Sequence, residues 1–398
     1  MTISSAVVLA AGEGTRLRPL TRHRPKPMLP AANRPIIEYV LDALVDAGID
    51  DLHVVVGYKR DRVQNHLGAT YRDCDITYHH QSKQLGSGHA LLQAAGGLDS
   101  DFLVVNGDQI VHQEMVSAVL DAHTVKDVAT LAIVESDQAS SYGAVRMDDD
   151  RVTEIVERPV EGTYRLLNAG VYAFAPSFFS EIEQTPRHHG ELALTDTLVE
   201  LIDEDRQRVR GVRVEGVWWD ATYPWDLLSV ARALLTRGLV SEPEVSDGVY
   251  VAPSASVHDD ATLDAPVVVG PDCAVGPQAV VGPYTALGRN VTVNAGAVVD
   301  GSTVDADSRV EQNATVRDCV TGESVRLGAG AVVAGGVADV RVGTEVHEHC
   351  RLGGVVADRS HLGGGSTVAP GTLVGSNVTV EAGTVVARNV DDDVEVRN

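Results

Sequence analysis

Val267-Val268-Val269-Gly270-Pro271-Asp272-Cys273-Ala274-Val275-Gly276-Pro277-Gln278-Ala279-Val280-Val281-Gly282 sets an aliphatic residue followed by glycine at every sixth position. The same phase extends both ways, through Val251, Val257, Leu263, Val269, Val275, Val281, Leu287, Val293 and Val299, and Gly288 continues the glycine series. A hexapeptide repeat predicts a parallel, left-handed β-helix, in which each repeat forms one short side of a prism and stacks its aliphatic residue on the coil below. With three repeats per turn, the last ~150 residues predict roughly eight coils. The register slips by one residue to Val304, Val310 and Val316, then returns in Val356, Leu362, Val368, Val374, Val380 and Val386, so a loop or a change of coil is expected between. Flat prism faces suit a homotrimer or another homo-oligomer. The acidic end, Asp391-Asp392-Asp393 with Glu395, is expected to solvate the last coil and discourage end-to-end stacking.

Upstream of Val249 the pattern is different: short apolar runs alternate with helix-like segments. Strands are predicted at Ala6 to Ala10, Leu52 to Val56, Ile76 to His79, Phe102 to Val105 and Ala129 to Val134, with helices at Pro35 to Ala47, Asp61 to Leu67 and Ser87 to Ala95. Pro35 suits a first helical turn and Gly48 the residue just past the end. Together they predict an α/β fold: a Rossmann-like, mostly parallel sheet with helices on both faces, then the β-helix. The expected organisation is a catalytic domain over 1–235, a linker over 236–249 and the repeat domain over 250–398. Ligands of such sheets bind at the carboxyl ends of the strands, where Gly12, Gly107 and Asp108 fall.

The formal net charge is −24, from 35 Asp and 21 Glu against 28 Arg and only four Lys. So acidic and lysine-poor a surface fits the cytoplasm of a halophile and repels nucleic acid and anionic membranes, so neither is an expected partner. No stretch of eighteen apolar residues and no signal-peptide core occurs, which points to a cytoplasmic protein. Cys74, Cys273, Cys319 and Cys350 are scattered, which argues against a disulfide framework or a structural zinc site.

Against that background, Gly14 to Ile37 carries Arg16, Arg18, Arg22, Arg24, Lys26 and Arg34 and no acid, so an anionic ligand is expected there. The stretch begins Leu9-Ala10-Ala11-Gly12-Glu13-Gly14-Thr15-Arg16-Leu17 behind an apolar strand and leads to Pro25-Lys26-Pro27. A dinucleotide fingerprint needs glycine where Leu17 stands, and a P-loop needs Gly-Lys-Ser/Thr, which is absent. What remains is a loop whose backbone N–H groups and Arg16 wrap a triphosphate, with Lys26 as a compact point charge held out of regular helix by Pro25 and Pro27.

These residues resemble the signature of sugar-1-phosphate nucleotidylyltransferases, and Gln81-Ser82-Lys83-Gln84-Leu85-Gly86-Ser87-Gly88-His89-Ala90 resembles the uracil-reading segment of the bifunctional N-acetylglucosamine-1-phosphate uridylyltransferases. The resemblance implies catalytic roles for Arg16, Lys26 and Asp108, and nucleotide contacts by Leu9, Ala11, Gly12, Gly14, Thr15, Gln81, Gly86 and Ser87. It also implies Mg²⁺ held by Asp108 and Asp220, two carboxylates being a usual complement for that ion. Asp220 is closer to the glucose-1-phosphate enzymes, and Thr222 stands where relatives often have Gly. For the sugar the resemblance nominates Gly143, Glu157 and Asn168, with Arg158 where Lys is usual.

The implied reaction joins a nucleoside triphosphate, UTP or dTTP, to a sugar-1-phosphate, N-acetylglucosamine or glucose, and releases pyrophosphate. Two alternatives accompany it. A bifunctional enzyme would also acetylate glucosamine-1-phosphate with acetyl-CoA in the β-helix, for which His347, His349 and His361 are the candidate bases, although the relatives' glycine-histidine segment is absent. A catalytically silent subunit would sense nucleotide sugars, against which intact Gly14, Arg16, Lys26, Asp108 and Asp220 argue.

Overall fold

Ser5–Ala10 alternates its side chains between two cores, as a strand covered on both faces must. Ala6, Val8 and Ala10 pack with Ile37, Val40, Leu41 and Leu44 of helix Ile36–Asp46. Val7 packs on the other side with Leu91, Ala94, Phe178 and Ile182. A computed structural model of the chain describes residues 3–136, 143–157, 159, 164–203, 208–216 and 218–397. Two compact units emerge from it. One comprises Met1–Glu13, Pro25–Met28 and Ile36–Trp219, the other Gly14–Arg24, Leu29–Pro35 and Asp220–Asn398. Helix Pro224–Thr236 and strand Glu244–Ser246 therefore belong to the unit that holds the β-helix, where the sequence reading places a domain end and a linker.

The first unit is built on a ten-stranded sheet. From one edge its order is Thr70–Tyr71, Cys74–His80, Asp51–Val56, Ser5–Ala10, Phe102–Asn106, Leu166–Phe174, Asp127–Glu135, Arg208–Arg213, Arg151–Glu157 and Gly143–Asp148. The four strands from Cys74–His80 to Phe102–Asn106 run parallel, so their carboxyl ends open on one side. Leu166–Phe174 then enters antiparallel to both Phe102–Asn106 and Asp127–Glu135, and a hairpin pairs Gly143–Asp148 with Arg151–Glu157. The parallel order thus belongs to the first part of the chain, and the strands added later are mostly antiparallel. Helix Ile36–Asp46 ends as its sequence predicts: Gly48 adopts φ +92°, its N–H bonds the Val45 carbonyl, and the Ile49 N–H reaches back to Leu44.

In the second unit the six-residue period becomes three sheets of eight, eight and seven strands, parallel throughout except that the edge strand Glu244–Ser246 pairs antiparallel with Val249–Val251. Val251 pairs in register with Val269, and Val269 with Leu287, one coil of eighteen residues at a time. Val269, Val275, Val281, Leu287, Val293 and Val299 are all buried in one core. The slip is a shortened coil: Leu287 lies over Val304, seventeen residues on, and Thr321 takes the next inward position. The later interruption is an inserted antiparallel hairpin, Val337–Val342 with Glu345–Arg351, after which Val333 stacks on Val368. Among the described residues no helix is long and apolar enough to cross a membrane.

Candidate active site

The parallel strand ends of the first unit fix its key turns through their own backbone. The Gly107 N–H donates to the Leu9 carbonyl at 3.0 Å, and the Tyr58 N–H to that of Ala11 at 3.2 Å. A Cβ on Gly107 would lie 2.9 Å from Val8 Cγ1 and 3.0 Å from the Leu9 carbonyl oxygen, so only glycine lets the turn into Asp108 close this tightly. By contrast, a Cβ on Gly12 would meet nothing within 4 Å, so no protein neighbour demands glycine there. Lys26 lies in a single 3-10 turn, Lys26–Met28, closed by a 2.9 Å bond from the Met28 N–H to the Pro25 carbonyl. Its Nζ stands 3.0 Å from Asp108 Oδ2, with Lys26 only 8% exposed and the Asp108 side chain 39% exposed. A nearly buried ammonium is thus aimed at a half-exposed carboxylate.

Gln81 follows the end of strand Cys74–His80 and is buried. Its Nε2 donates to the Gly86 carbonyl at 3.0 Å and lies 3.0 Å from Nδ1 of His89, whose pKa burial pushes down, favouring the neutral ring. Gly86 adopts φ +97°, and a Cβ there would fall 2.3 Å from the Leu192 carbonyl oxygen. Ser87 Oγ accepts the Leu194 N–H at 2.9 Å, so it ties this segment to the chain near Leu192 and does not cap its own helix.

The three sugar candidates converge. Gly143 pairs with Glu157 across the hairpin, and a Cβ on Gly143 would lie 3.3 Å from Glu157 Oε1 and 3.9 Å from Asn168 Cβ. Asn168 Nδ2 donates to the Tyr172 hydroxyl at 2.8 Å, while its Oδ1 accepts the Gly170 N–H at 3.2 Å. Burial, with help from the Glu157 charge, holds the Tyr172 phenol far above its ordinary pKa, so it stays protonated. Arg158 lies outside the described residues.

Sequence reasoning missed Tyr172, although it sits four residues beyond Asn168 on the same strand, as well as Gln109, Asn106 and Trp218. A Cβ on Gly170 would come within 2.3 Å of Gln109 Oε1 and 2.5 Å of Asn106 Nδ2, and the Trp218 indole N–H donates to the Ala169 carbonyl at 2.9 Å. The only sequence signal was the polar pair flanking Gly107-Asp108.

In the second unit Gly14 adopts φ +69°, and its carbonyl accepts both the Leu17 N–H at 3.0 Å and the Thr21 hydroxyl at 2.9 Å. Thr15 and Arg16 are exposed, with the Arg16 guanidinium 5.9 Å from the Tyr223 ring centroid. Tyr223 stacks on Trp225 at 4.8 Å, and His347 of the inserted hairpin packs 4.4 Å from Tyr223 and 5.2 Å from Trp225. His347 is therefore a packing partner of this aromatic pair, while His349 and His361 lie exposed. Asp220 Oδ2 accepts the Thr222 hydroxyl at 2.6 Å, a donor that glycine at 222 would lack.

The cationic stretch does not act as one anion site. Arg22 Nε pairs with Asp392 at 3.1 Å, and Arg24 is buried among Asp305, Glu323 and Asp358, so part of the positive charge answers carboxylates of the chain itself. The acidic end joins the same pairing, while Asp391, Asp393 and Glu395 stay exposed. Asp392 accepts the Ser376 N–H as well as binding Arg22, and Asp393 is bonded by Asn377.

Comparison with known proteins now bears on this arrangement. Residues 5–237 match the family described as nucleotidyl transferase, and residues 272–390 the GMPPB C-terminal domain. The chain is similar to the bifunctional protein GlmU of Methanococcus maripaludis, 34% identical over 236 residues that cover 58% of this chain and 54% of that protein. It therefore spans about half the length of these relatives. The UTP–glucose-1-phosphate uridylyltransferase AglF of Haloferax volcanii is 37% identical over 56% of this chain and 92% of its own. A solved UDP-glucose pyrophosphorylase complexed with UDP-glucose shares the fold, with TM-score 0.53 and 23% identity over 59% of this chain and 99% of that one. With strand, glycine turn, Lys26 and Asp108 arranged as described, the chain belongs to the nucleotidyl transferase family.

Proposed function

We propose that the protein transfers a nucleotidyl group, UMP from UTP, to glucose-1-phosphate or N-acetylglucosamine-1-phosphate. The carrying observation is the Lys26–Asp108 pair, 3.0 Å apart, with Asp108 just past strand Phe102–Asn106, the neighbour of the strand that leads into the glycine turn. A relative named as a UTP–glucose-1-phosphate uridylyltransferase supports the choice of base and sugar. An oxygen of the sugar phosphate attacks the α-phosphorus in line, the bond from that phosphorus to the oxygen bridging the β-phosphate breaks, and pyrophosphate leaves with the electron pair. The attacking phosphate is already ionised at neutral pH, so neither a general base nor a covalent nucleophile is required.

Lys26 and Arg16 neutralise the repulsion between the two anions, and the backbone N–H groups from Leu9 to Thr15 cradle the triphosphate. Gln81 and Gly86 face the base, with Ser87 holding their segment in place. Gly143, Glu157 and Asn168 take the sugar hydroxyls, with Tyr172 fixing the Asn168 amide. Asp108 and Asp220 are hard oxygen donors, the type Mg²⁺ takes from a protein when substrate oxygens and water complete its shell. Mg²⁺ held there would screen phosphate charge. Pyrophosphate release across nucleoside triphosphates and sugar-1-phosphates tests the reading: turnover with UTP and either sugar phosphate supports it, and no turnover in any combination by folded protein refutes it.

A further inference from the structure

Arg24 is an arginine with 4% of its side chain exposed, in a stretch whose neighbours Arg16, Arg18 and Arg22 are exposed. Its Nη1 lies 2.5 Å from Asp305 Oδ2 and 3.3 Å from Glu323 Oε1, and its Nη2 lies 2.6 Å from Asp358 Oδ1. The three carboxylates come from one corner of the prism in successive coils, just after strands Thr303–Val304, Cys319–Thr321 and Gly354–Val356, which are neighbours in a single sheet. Asp305 stands directly after its strand, where other coils of that sheet have Gly270, Gly288, Gly322 and Gly375, and Glu323 and Asp358 stand one place further on, where other coils have Pro271, Arg289 and Ser376. The stacking repeat itself therefore has no need of acids there.

Backbone donors set the socket. The Ala306 N–H holds Asp305 Oδ1 at 2.7 Å, and the Glu323 N–H holds Asp358 Oδ1 at 2.9 Å. Burial pushes the Asp305 carboxyl above its ordinary range in spite of Arg24. Burial also opposes the charge on Arg24, but the three carboxylates outweigh it and hold the guanidinium protonated. A guanidinium fork spans such a set, whereas an ammonium is a single point.

The anchored segment is itself closed by the bonds onto the Gly14 carbonyl from Leu17 and Thr21, so a restraint at Arg24 reaches back to Gly14–Arg16. We propose that Arg24 is a positioning residue. Its socket on the β-helix fixes the Gly14–Arg24 backbone that carries Arg16, and that is how the repeat half of the chain contributes to nucleotidyl transfer. The inference rests on the roles given to Arg16 and Lys26 above.

The test uses the full chain carrying Arg24→Lys, and Arg24→Met combined with Asp305→Asn and Asp358→Asn, which removes two buried carboxylates together with their cation. kcat and KM for the sugar phosphate are measured with UTP, beside amide exchange over residues 14–20. Expected for the triple variant are a kcat about 10- to 100-fold lower, in line with small misplacement of reacting groups, a KM within about threefold, and faster exchange confined to that segment. Arg24→Lys should fall between it and the parent in both readouts. Parental kcat and parental exchange in either folded variant would overturn the proposal, and if the triple variant does not fold, Arg24→Lys decides by the same criteria. Full activity in Lys26→Ala would instead refute the underlying assignment, whatever Arg24 does.

Discussion

Lys26, only 8% exposed, has Asp108 3.0 Å away as its counter-charge, and an ammonium so placed can be shared with a substrate phosphate. Lys26→Ala and Asp108→Ala should each lower kcat by ~100-fold or more, the scale of removing a preorganised electrostatic contact. Because Asp108 is half-exposed, thermal midpoints should shift by only a few degrees, which differential scanning calorimetry checks. Tyr172→Phe deletes the hydroxyl that accepts from Asn168, so KM for the sugar phosphate should rise by about 10-fold, in keeping with ~1–2 kcal/mol for an unsatisfied buried amide. A steady-state KM unaltered by the change would remove Asn168 from the sugar site. Lys26 and Asp108 were legible in the sequence because flanking prolines and a strand end announce them. Tyr172 and Gln109 were not, since their value depends on strand register and on Gly170, which no local pattern records. Arg24 was read as one more phosphate-facing cation, because its carboxylates lie about 280 to 330 residues further along the chain.

At the scale of elements, the base-reading segment depends on Gly86. Gly86→Ala sets a Cβ 2.3 Å from a carbonyl oxygen at φ +97° and should destabilise by about 1–3 kcal/mol, with a parallel loss of UTP affinity. A urea titration and equilibrium nucleotide binding read the two effects. Strands Asp127–Glu135 and Arg208–Arg213 are pinned where they meet by Asp127, which binds Arg210 Nε at 2.9 Å and Arg208 Nε at 3.2 Å. Burial works to raise the Asp127 pKa, but the Thr124 and Arg210 hydrogen bonds and the arginine charges outweigh it and bring it below 3.8. A depressed carboxyl stabilises the fold above its unfolded pKa and ceases to do so as pH falls through the folded one. Asp127→Asn should therefore reduce stability at pH 7, and the difference should shrink as pH falls out of the ordinary carboxyl range and through the depressed pKa of the folded state. Period six gave away the coils, and the parallel strands showed as apolar runs. The inserted hairpin did not, because the alternation of a protruding ribbon resembles an interrupted repeat.

For the molecule as a whole, a net charge of −24 makes self-repulsion a general destabilising term that salt screens over about 10 Å at 0.1 M. We predict that unfolding midpoints and activity rise together from dilute buffer into molar KCl, and a maximum in dilute buffer would count against a halophilic origin. The alternation of apolar runs and helix-like segments places the first domain's end at 235, and compactness assigns Gly14–Arg24, Leu29–Pro35 and everything from Asp220 to the β-helix unit. Hydrophobic periodicity is blind to such an exchange, since ion pairs and backbone bonds hold that segment. Pyrophosphate release in molar KCl with Mg²⁺, UTP and glucose-1-phosphate or N-acetylglucosamine-1-phosphate, compared between the parent chain and Lys26→Ala, decides whether this site performs nucleotidyl transfer. Release by the parent and its loss in the folded variant is the predicted result. Equal release by both, or none by a folded parent with any nucleoside triphosphate, would contradict it.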